Sequence, residues 1–240
     1  MAGLLFRRET TRHWQRLLAV AAVLSCLGLA SLAVDVPVAT WLRSHRPRLT
    51  SFKDFRGVER EIVRLLNFSE AFAHGTGVAV LLAAVLALDP TLRRGRSGNA
   101  GWSDFARMVA ATYAGGLAAN LIKATIARVR PRAADLADLP SALATFGDGA
   151  LALTDPGSSD LASFPSGHAA TAAGLAAALS WRYPQATWFF AAIAALAAMQ
   201  RVVSLAHYPS DVCCGAALGL VMAAVCLSCG PRPRAGSGMD

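Results

Sequence analysis

Apolar stretches with almost no charge alternate with short polar segments along most of the chain. Six such stretches are present: Leu17–Val34, Ala71–Leu88, Met108–Ile122, Leu161–Trp181, the residues after Pro184 as far as Gln200, and Val212 to about Gly230. Most of them approach the ~20 residues that an α-helix needs to cross the hydrocarbon core of a bilayer. The pattern therefore predicts an all-α membrane protein, a six-transmembrane helical bundle, with residues 1–240 in a single domain.

The first apolar stretch has two interpretations, because it follows a basic segment in residues 1–16. A cleaved signal peptide also begins with basic residues, but its apolar core is only about 7–15 residues long. The stretch in this chain is longer, and no small-x-small cleavage site precedes Asp35. We therefore expect it to remain in the protein as a membrane span.

Residues 43–66 form an Arg-rich connector between the first two apolar stretches. From Val58 onward, the apolar residues of this connector recur at near-helical spacing between charged ones. Such a pattern is typical of an amphipathic helix that lies on a membrane surface. The connector therefore predicts a short surface helix.

Composition narrows the range of partners. Of the 240 residues, 55% are hydrophobic and 16% are charged, whereas soluble domains carry about a quarter charged residues. A net charge of +8 in a membrane protein is typical of loops that face anionic lipids. No basic segment interleaved with aromatic residues is present, so we expect membrane lipids as partners and no nucleic acid. The oligomeric state stays open.

The cysteines give no sign of a metal site. All five lie in apolar stretches, as expected for small packing residues: Cys26, Cys213, Cys214, Cys226 and Cys229. The last two have the spacing of half a metal site, but no second pair or nearby histidine completes it. We predict no metal, no cofactor and no disulfide.

Polar residues gather at helix ends that the six-span arrangement places on one face of the membrane. These ends are the end of the third span, the start of the fourth, and the link between the fifth and the sixth. They carry Lys123 and Arg130; Ser166, Gly167 and His168; and Arg201, His207 and Asp211. Basic residues of the N-terminal segment and of the loop at 93–96 lie on the other face, which the positive-inside rule makes cytoplasmic. We therefore predict a multi-pass protein of the cell membrane with its active site on the extracytoplasmic face, although the Arg-rich connector opposes this orientation.

The segment Phe164–His168 stands at the start of the fourth apolar stretch. Ser166 is a good N-cap, and Pro165 favours the first turn of a helix. The free backbone N–H groups of a helix N-terminus bind anions, and Gly167 allows a close approach to them. On its own this segment favours a plain helix start with His168 as an interfacial anchor.

Structural interpretations exist for the other polar residues as well. Arg128 and Arg132 are interpreted as interfacial anchors, and His74 as a packed or interfacial histidine. Arg201 would simply end a span, and Asp211 would cap the last helix. The functional interpretation is favoured because three cations and a helix N-terminus suit a phosphate group, while two histidines and a carboxylate suit nucleophilic attack and proton transfer.

Three spaced motifs resemble the signatures of the type 2 phosphatidic acid phosphatase (PAP2) superfamily. The first is Lys123 with Arg130-Pro131, separated by six residues; the second is Pro165-Ser166-Gly167-His168; the third is Arg201, His207 and Asp211, separated by five and three residues. The family commonly has serine before the arginine of the third motif, where this chain has Gln200. All charged and nucleophilic positions are retained.

The resemblance implies a metal-independent phosphatase that acts on a membrane lipid phosphate through a phosphohistidine. It assigns His207 as the nucleophile, Asp211 as the carboxylate that orients it, and His168 as the proton donor to the leaving group. It also assigns a set of phosphate-binding residues: Lys123, Arg130, Ser166, Gly167 and Arg201.

Other functions share part of this pattern. A lipid phosphotransferase would pass the phosphoryl group to an alcohol, and the related vanadium haloperoxidases are largely soluble, which six spans disfavour. A transporter would place its charges near the bilayer midplane and not at span ends. The sequence leaves the lipid open among phosphatidate, phosphatidylglycerophosphate, a polyprenyl diphosphate and a phosphorylated glycolipid.

Overall fold

The computed structural model describes residues 2–45, 57–94, 100–137, 139–154 and 158–228. Within these ranges the chain forms ten α-helices and no β-strand. They are α1 (Ala2–Ser31), α2 (Asp35–His45), α3 (Val58–Ser69), α4 (Gly75–Leu88), α5 (Pro90–Arg94), α6 (Ala100–Lys123), α7 (Gly147–Leu153), α8 (Gly167–Arg182), α9 (Thr187–Val203) and α10 (Pro209–Ser228). The predicted all-α fold is confirmed.

Helix α8 is the centre of the bundle. Of its 16 residues, 12 are buried, and it packs against α6, α9 and α10. Two glycines of α10 allow the backbones to approach closely: a Cβ on Gly215 would lie 2.3 Å from the Ser166 carbonyl oxygen, and one on Gly219 would lie 2.2 Å from that of Ala170. Small residues at helix interfaces permit such contacts. The start of α10 is therefore held against the start of α8.

Three helical segments are long and apolar enough to cross a membrane: His13–Ser31, Pro184–Val203 and Pro209–Ser228. The bent pair Glu61–Phe72 and Gly75–Leu88 makes a fourth if it is counted as one span; only the described residues were searched. The predicted count of six is therefore not confirmed. Helix α8 has only 16 residues, because residues 162–166 of the fourth apolar stretch are not helical. Helix α6 has 24 residues but is interrupted by polar ones.

The amphipathic helix predicted from Val58 onward is α3, which packs against α9. Residues 46–56 of the connector lie outside the described residues, and the prediction of a surface location stays untested. The chain then turns through Glu70–Phe72, and the axis changes direction by 73° before α4. The second apolar helix thus begins at Gly75 and not at Ala71, because the turn takes up the first residues of that stretch.

Candidate active site

A cavity of about 780 Å³ extends along α6 as far as the end of the bundle where α6 and α9 end and α8 begins. Six of the eight predicted site residues line it: Lys123, Arg130, Gly167, His168, Arg201 and His207. The other two, Ser166 and Asp211, are fully buried and stand behind the wall of the cavity. The fold thus gathers residues that are as far apart as 123 and 211 in the sequence.

The start of α8 is fixed by its cap. Ser166 is the N-cap, and its hydroxyl oxygen accepts a hydrogen bond from the backbone N–H of Ala169 at 3.3 Å. The backbone N–H of Ser166 itself donates to the carbonyl oxygen of Asp211 at 3.0 Å. Pro165 precedes the cap, so its predicted place in the first helical turn is wrong; the helix begins at Gly167. The cap leaves Gly167 and His168 on the cavity wall.

A left-handed turn brings His207 to the cavity. Leu205, between α9 and α10, has φ 55°, a backbone conformation that is rare for a leucine. Its carbonyl oxygen accepts a hydrogen bond from the backbone N–H of Arg132 at 3.1 Å, and its side chain is buried. These contacts hold the residue in this conformation, so that the chain reverses between Arg201 and His207.

His207 and Asp211 form the buried core of the site. The Nδ1 atom of His207 lies 3.6 Å from Oδ2 of Asp211, an electrostatic contact longer than a hydrogen bond. Asp211 Oδ2 accepts hydrogen bonds from Ser163 Oγ at 2.6 Å and from the backbone N–H of Tyr208 at 2.9 Å. Because Nδ1 faces the carboxylate, Nε2 is the ring nitrogen left for a ligand in the cavity.

Burial controls the protonation of His207. The side chain is 2% exposed, and this burial lowers the pKa of the imidazole below its ordinary value, while Asp211 acts in the opposite direction. At neutral pH the ring is therefore uncharged. A neutral imidazole has the free lone pair that a nucleophile needs.

Arg128 is not the interfacial anchor that the sequence analysis expects. Its side chain is fully buried, and it donates hydrogen bonds to Asp35 at 2.7 Å and to Asp211. Both carboxylates are fully buried as well, and a buried charge is stable only when it is paired. Arg128 is thus the counter-ion for two buried acids.

The rest of the Arg128 side chain is also satisfied. It donates to Thr145 Oγ1 at 3.0 Å and to Ser210 Oγ at 2.8 Å, and its guanidinium carbon lies 4.3 and 4.2 Å from the ring centroids of Phe146 and Tyr208. Arg132, by contrast, is partly exposed and pairs with Asp160 at 2.7 Å.

The three predicted phosphate-binding cations come from different elements. Lys123 ends α6, Arg130 follows it in the loop, and Arg201 lies in the last turn of α9. The Nε atom of Arg130 is buried without a hydrogen-bond partner in the described ranges. An unsatisfied cationic donor beside two further cations favours the binding of an anion in this cavity.

His168 and His74 are neighbours on the wall of the cavity. Their ring centroids are 6.1 Å apart, and both rings line the cavity. His74 is exposed, with Nδ1 2.9 Å from Thr76 Oγ1. The interfacial histidine of the sequence analysis is therefore a neighbour of the site.

Two acids near the site were missed by sequence reasoning. Asp35 accepts from Arg128 and from the backbone N–H of Ser210 at 3.0 Å, and Glu70 accepts from Arg201 at 2.7 Å. Both stand at an edge of an apolar stretch, and this position was the only available signal. No group of three or more His, Cys, Asp or Glu among the described residues is arranged to hold a metal ion.

Comparison with known proteins identifies the superfamily to which the protein belongs. A family model for the PAP2 superfamily matches residues 104–234, more than half of the chain, and the protein belongs to this superfamily. All eight predicted site residues fall within the match. Membership supports a phosphatase activity on phosphoric esters. No curated protein and no solved structure matches the chain.

Proposed function

We propose that the protein is a metal-independent phosphatase that hydrolyses a phosphomonoester or diphosphate of a membrane lipid through a phosphohistidine. The observation that carries the proposal is the lining of the cavity. One end holds the cations, and the rest runs along α6, where apolar residues that include Val109, Ala110 and Leu117 line it together with Tyr113 and Asn120. At 1.5 Å per residue, Val109 and Lys123 are about 20 Å apart along the helix, enough for a lipid tail beside a phosphate.

In the first step His207 Nε2 attacks the phosphorus atom. A nitrogen–phosphorus bond forms, the bond from phosphorus to the lipid oxygen breaks, and His168 gives its proton to that oxygen. Lys123, Arg130 and Arg201 stabilise the charge on the phosphoryl oxygens. Burial, and after it the nearby cations, lower the pKa of the His168 imidazole to about 3. The bound phosphate opposes this shift, because an anion next to a histidine stabilises its imidazolium.

In the second step His168 acts as a base. It takes a proton from a water molecule whose oxygen attacks the phosphohistidine. The nitrogen–phosphorus bond breaks and inorganic phosphate leaves, so that His207 is neutral again. Asp211 orients the imidazole and stabilises the positive charge that the ring carries as phosphohistidine.

Phosphate release tests the proposed activity. Purified full-length protein is incubated with phosphatidate, phosphatidylglycerophosphate, a polyprenyl diphosphate and a phosphorylated glycolipid, and inorganic phosphate is measured. We expect release from at least one of these lipids, and none from a His207→Ala variant. Equal release by both proteins would contradict the proposal.

Chelators should leave the activity unchanged, because the three cations carry the charge that a metal ion carries in other phosphatases. Vanadate should compete with the substrate, since it imitates the five-coordinate phosphoryl group. The measurement is the initial rate with and without a chelator, followed by vanadate inhibition at several substrate concentrations. Loss of activity that a divalent ion restores would show that the assignment is wrong.

The rate of His207 phosphorylation should stay constant as the pH falls through 6.5, the ordinary pKa of histidine. Burial lowers the pKa of His207, so the neutral nucleophile persists to a more acidic pH. Single-turnover kinetics with two aryl phosphates of different phosphate pKa separate the titration of the enzyme from that of the substrate. An acidic limb shared by both substrates and centred at or above 6.5 would contradict this assignment.

The site should be accessible from outside the cell. In a variant without the native cysteines, Leu143→Cys puts a thiol on the site side at a residue that is 69% exposed. Arg93→Cys, the matched control, puts an exposed thiol at the opposite end of the bundle. An impermeant maleimide should label Leu143→Cys in intact cells and Arg93→Cys only after permeabilisation. The reverse result would place the active site in the cytoplasm.

A further inference from the structure

Arg201 is held by two side chains to which the signatures assign no role. Its Nη2 donates to Oε1 of Glu70 at 2.7 Å, and its Nε donates to Oε1 of Gln200 at 2.5 Å. Glu70 lies in the turn between α3 and α4, outside the residues that match the family model. Gln200 occupies the position where the family commonly has serine. Neither residue belongs to the three motifs.

The two acceptors occupy one side of the guanidinium group. Arginine has five N–H donors in a fixed plane, and Nε–H and one N–H of Nη2 lie on the same edge. Glu70 and Gln200 take this edge, so that both N–H groups of Nη1 and the second one of Nη2 remain. Those donors form the fork that binds two phosphate oxygens at once. The contacts thus orient Arg201 without using its second edge.

The turn that carries Glu70 is anchored to the bundle on two sides. Ala73 packs against Ala172 of α8 and Ala197 of α9. Just beyond it, the hydroxyl of Tyr113 in α6 donates to the carbonyl oxygen of Gly75 at 2.9 Å. These two contacts therefore fix the position of the segment that carries the Glu70 carboxylate.

Electrostatics favour the same role. Lys123, Arg130 and Arg201 line one cavity and repel one another, and the Glu70 carboxylate offsets part of that repulsion at Arg201. Arg201 is 13% exposed and Glu70 is 35% exposed, so the pair is only partly screened by solvent. A long side chain in a field of like charges keeps one orientation when such a partner holds it.

We propose that Glu70 and Gln200 are positioning residues that hold Arg201 side-on, so that its free N–H groups face the substrate phosphate. This inference rests on the proposed function, in which Arg201 binds that phosphate. Neither residue touches the reacting atoms. Their effect is on the affinity for the phosphoryl group and on its transition state.

The test uses full-length protein with Glu70→Gln, and Glu61→Gln as the matched control. Glu61 also pairs with an arginine, Arg64 at 2.7 Å, but on the exposed surface of α3. Glu70→Gln should weaken vanadate binding, measured by calorimetry, and raise KM for the lipid phosphate. Each change should be about 10-fold, the lower end of what the loss of a partner that orients a ligand costs in metal sites. Glu61→Gln should change neither value.

A double variant separates positioning from general support of the fold. If Glu70 acts through Arg201, Glu70→Gln should not weaken vanadate binding further in an Arg201→Ala background. An unchanged or tighter affinity for vanadate in the single variant would overturn the inference, as would an additive loss in the double variant. These results would leave the proposed function intact if the wild type still releases phosphate from lipids. Failure of the wild type to bind vanadate would overturn both.

Discussion

Replacing His207 with alanine should abolish turnover of the lipid phosphate. The loss should be on the order of 10⁴–10⁶-fold, the range seen when a catalytic nucleophile or its base is removed from an enzyme. The reason is that the cations still bind the phosphate, but the nitrogen that attacks phosphorus is gone. The measurement is phosphate release, with His45→Ala, an exposed histidine of α2, as the control that should keep full activity.

Added imidazole distinguishes loss of the nucleophile from loss of the fold. His207 lines the cavity of about 780 Å³, so its removal leaves space next to the phosphate for a free imidazole. We expect imidazole to restore part of the phosphate release of His207→Ala and to have no such effect on wild type. Full activity in His207→Ala without imidazole would rule out this residue as the nucleophile.

His168→Gln should separate substrates by their leaving group. His168 protonates the departing oxygen, and this help matters most for a poor leaving group such as a lipid alkoxide. General acid catalysis is typically worth ~10²–10⁴-fold in rate, or roughly 3–5 kcal/mol. The phosphorylation step should therefore slow by this factor with a lipid phosphate and far less with a nitrophenyl phosphate, whose anion leaves without a proton.

The same variant should also stall after phosphorylation. Attack of water on the phosphohistidine needs a base, and glutamine cannot accept the proton. With the nitrophenyl ester we expect a burst of nitrophenolate followed by slow turnover, measured by stopped-flow absorbance. His74→Gln, beside His168 at a ring distance of 6.1 Å, serves as the matched control and should show no burst. Equal slowing of phosphorylation for both substrates would make His168 a binding residue instead.

Local patterns in the sequence predicted most of the helices and a set of eight polar site residues, six of which line one cavity. The apolar stretches became helices, the helix that starts at Val58 is present, and Ser166 caps α8. The residue types and the spacing of the three motifs were enough to identify residues that line one cavity. These features depend on residues that are close together in the sequence and on the residue types found at helix ends.

Local sequence patterns could not predict ion pairs between distant residues or the places where helices break. Arg128 looks like any arginine at a helix end, and its burial depends on Asp35, 93 positions away in sequence. Glu70 reaches Arg201 only because the chain bends at the turn before α4. Likewise the six-span count assumed that each apolar stretch is one straight helix, whereas residues 162–166 of the fourth stretch are used to build the cap and its loop.

Trapping of the phosphoenzyme tests the central claim most directly. The purified protein is mixed briefly with a lipid phosphate labelled in its phosphoryl group, quenched under alkaline conditions, and digested for mapping of the label. The account predicts one labelled peptide that contains His207, with a bond that is stable in base and labile in acid. Rapid phosphate release with no labelled peptide, or a label on a residue other than His207, would contradict it.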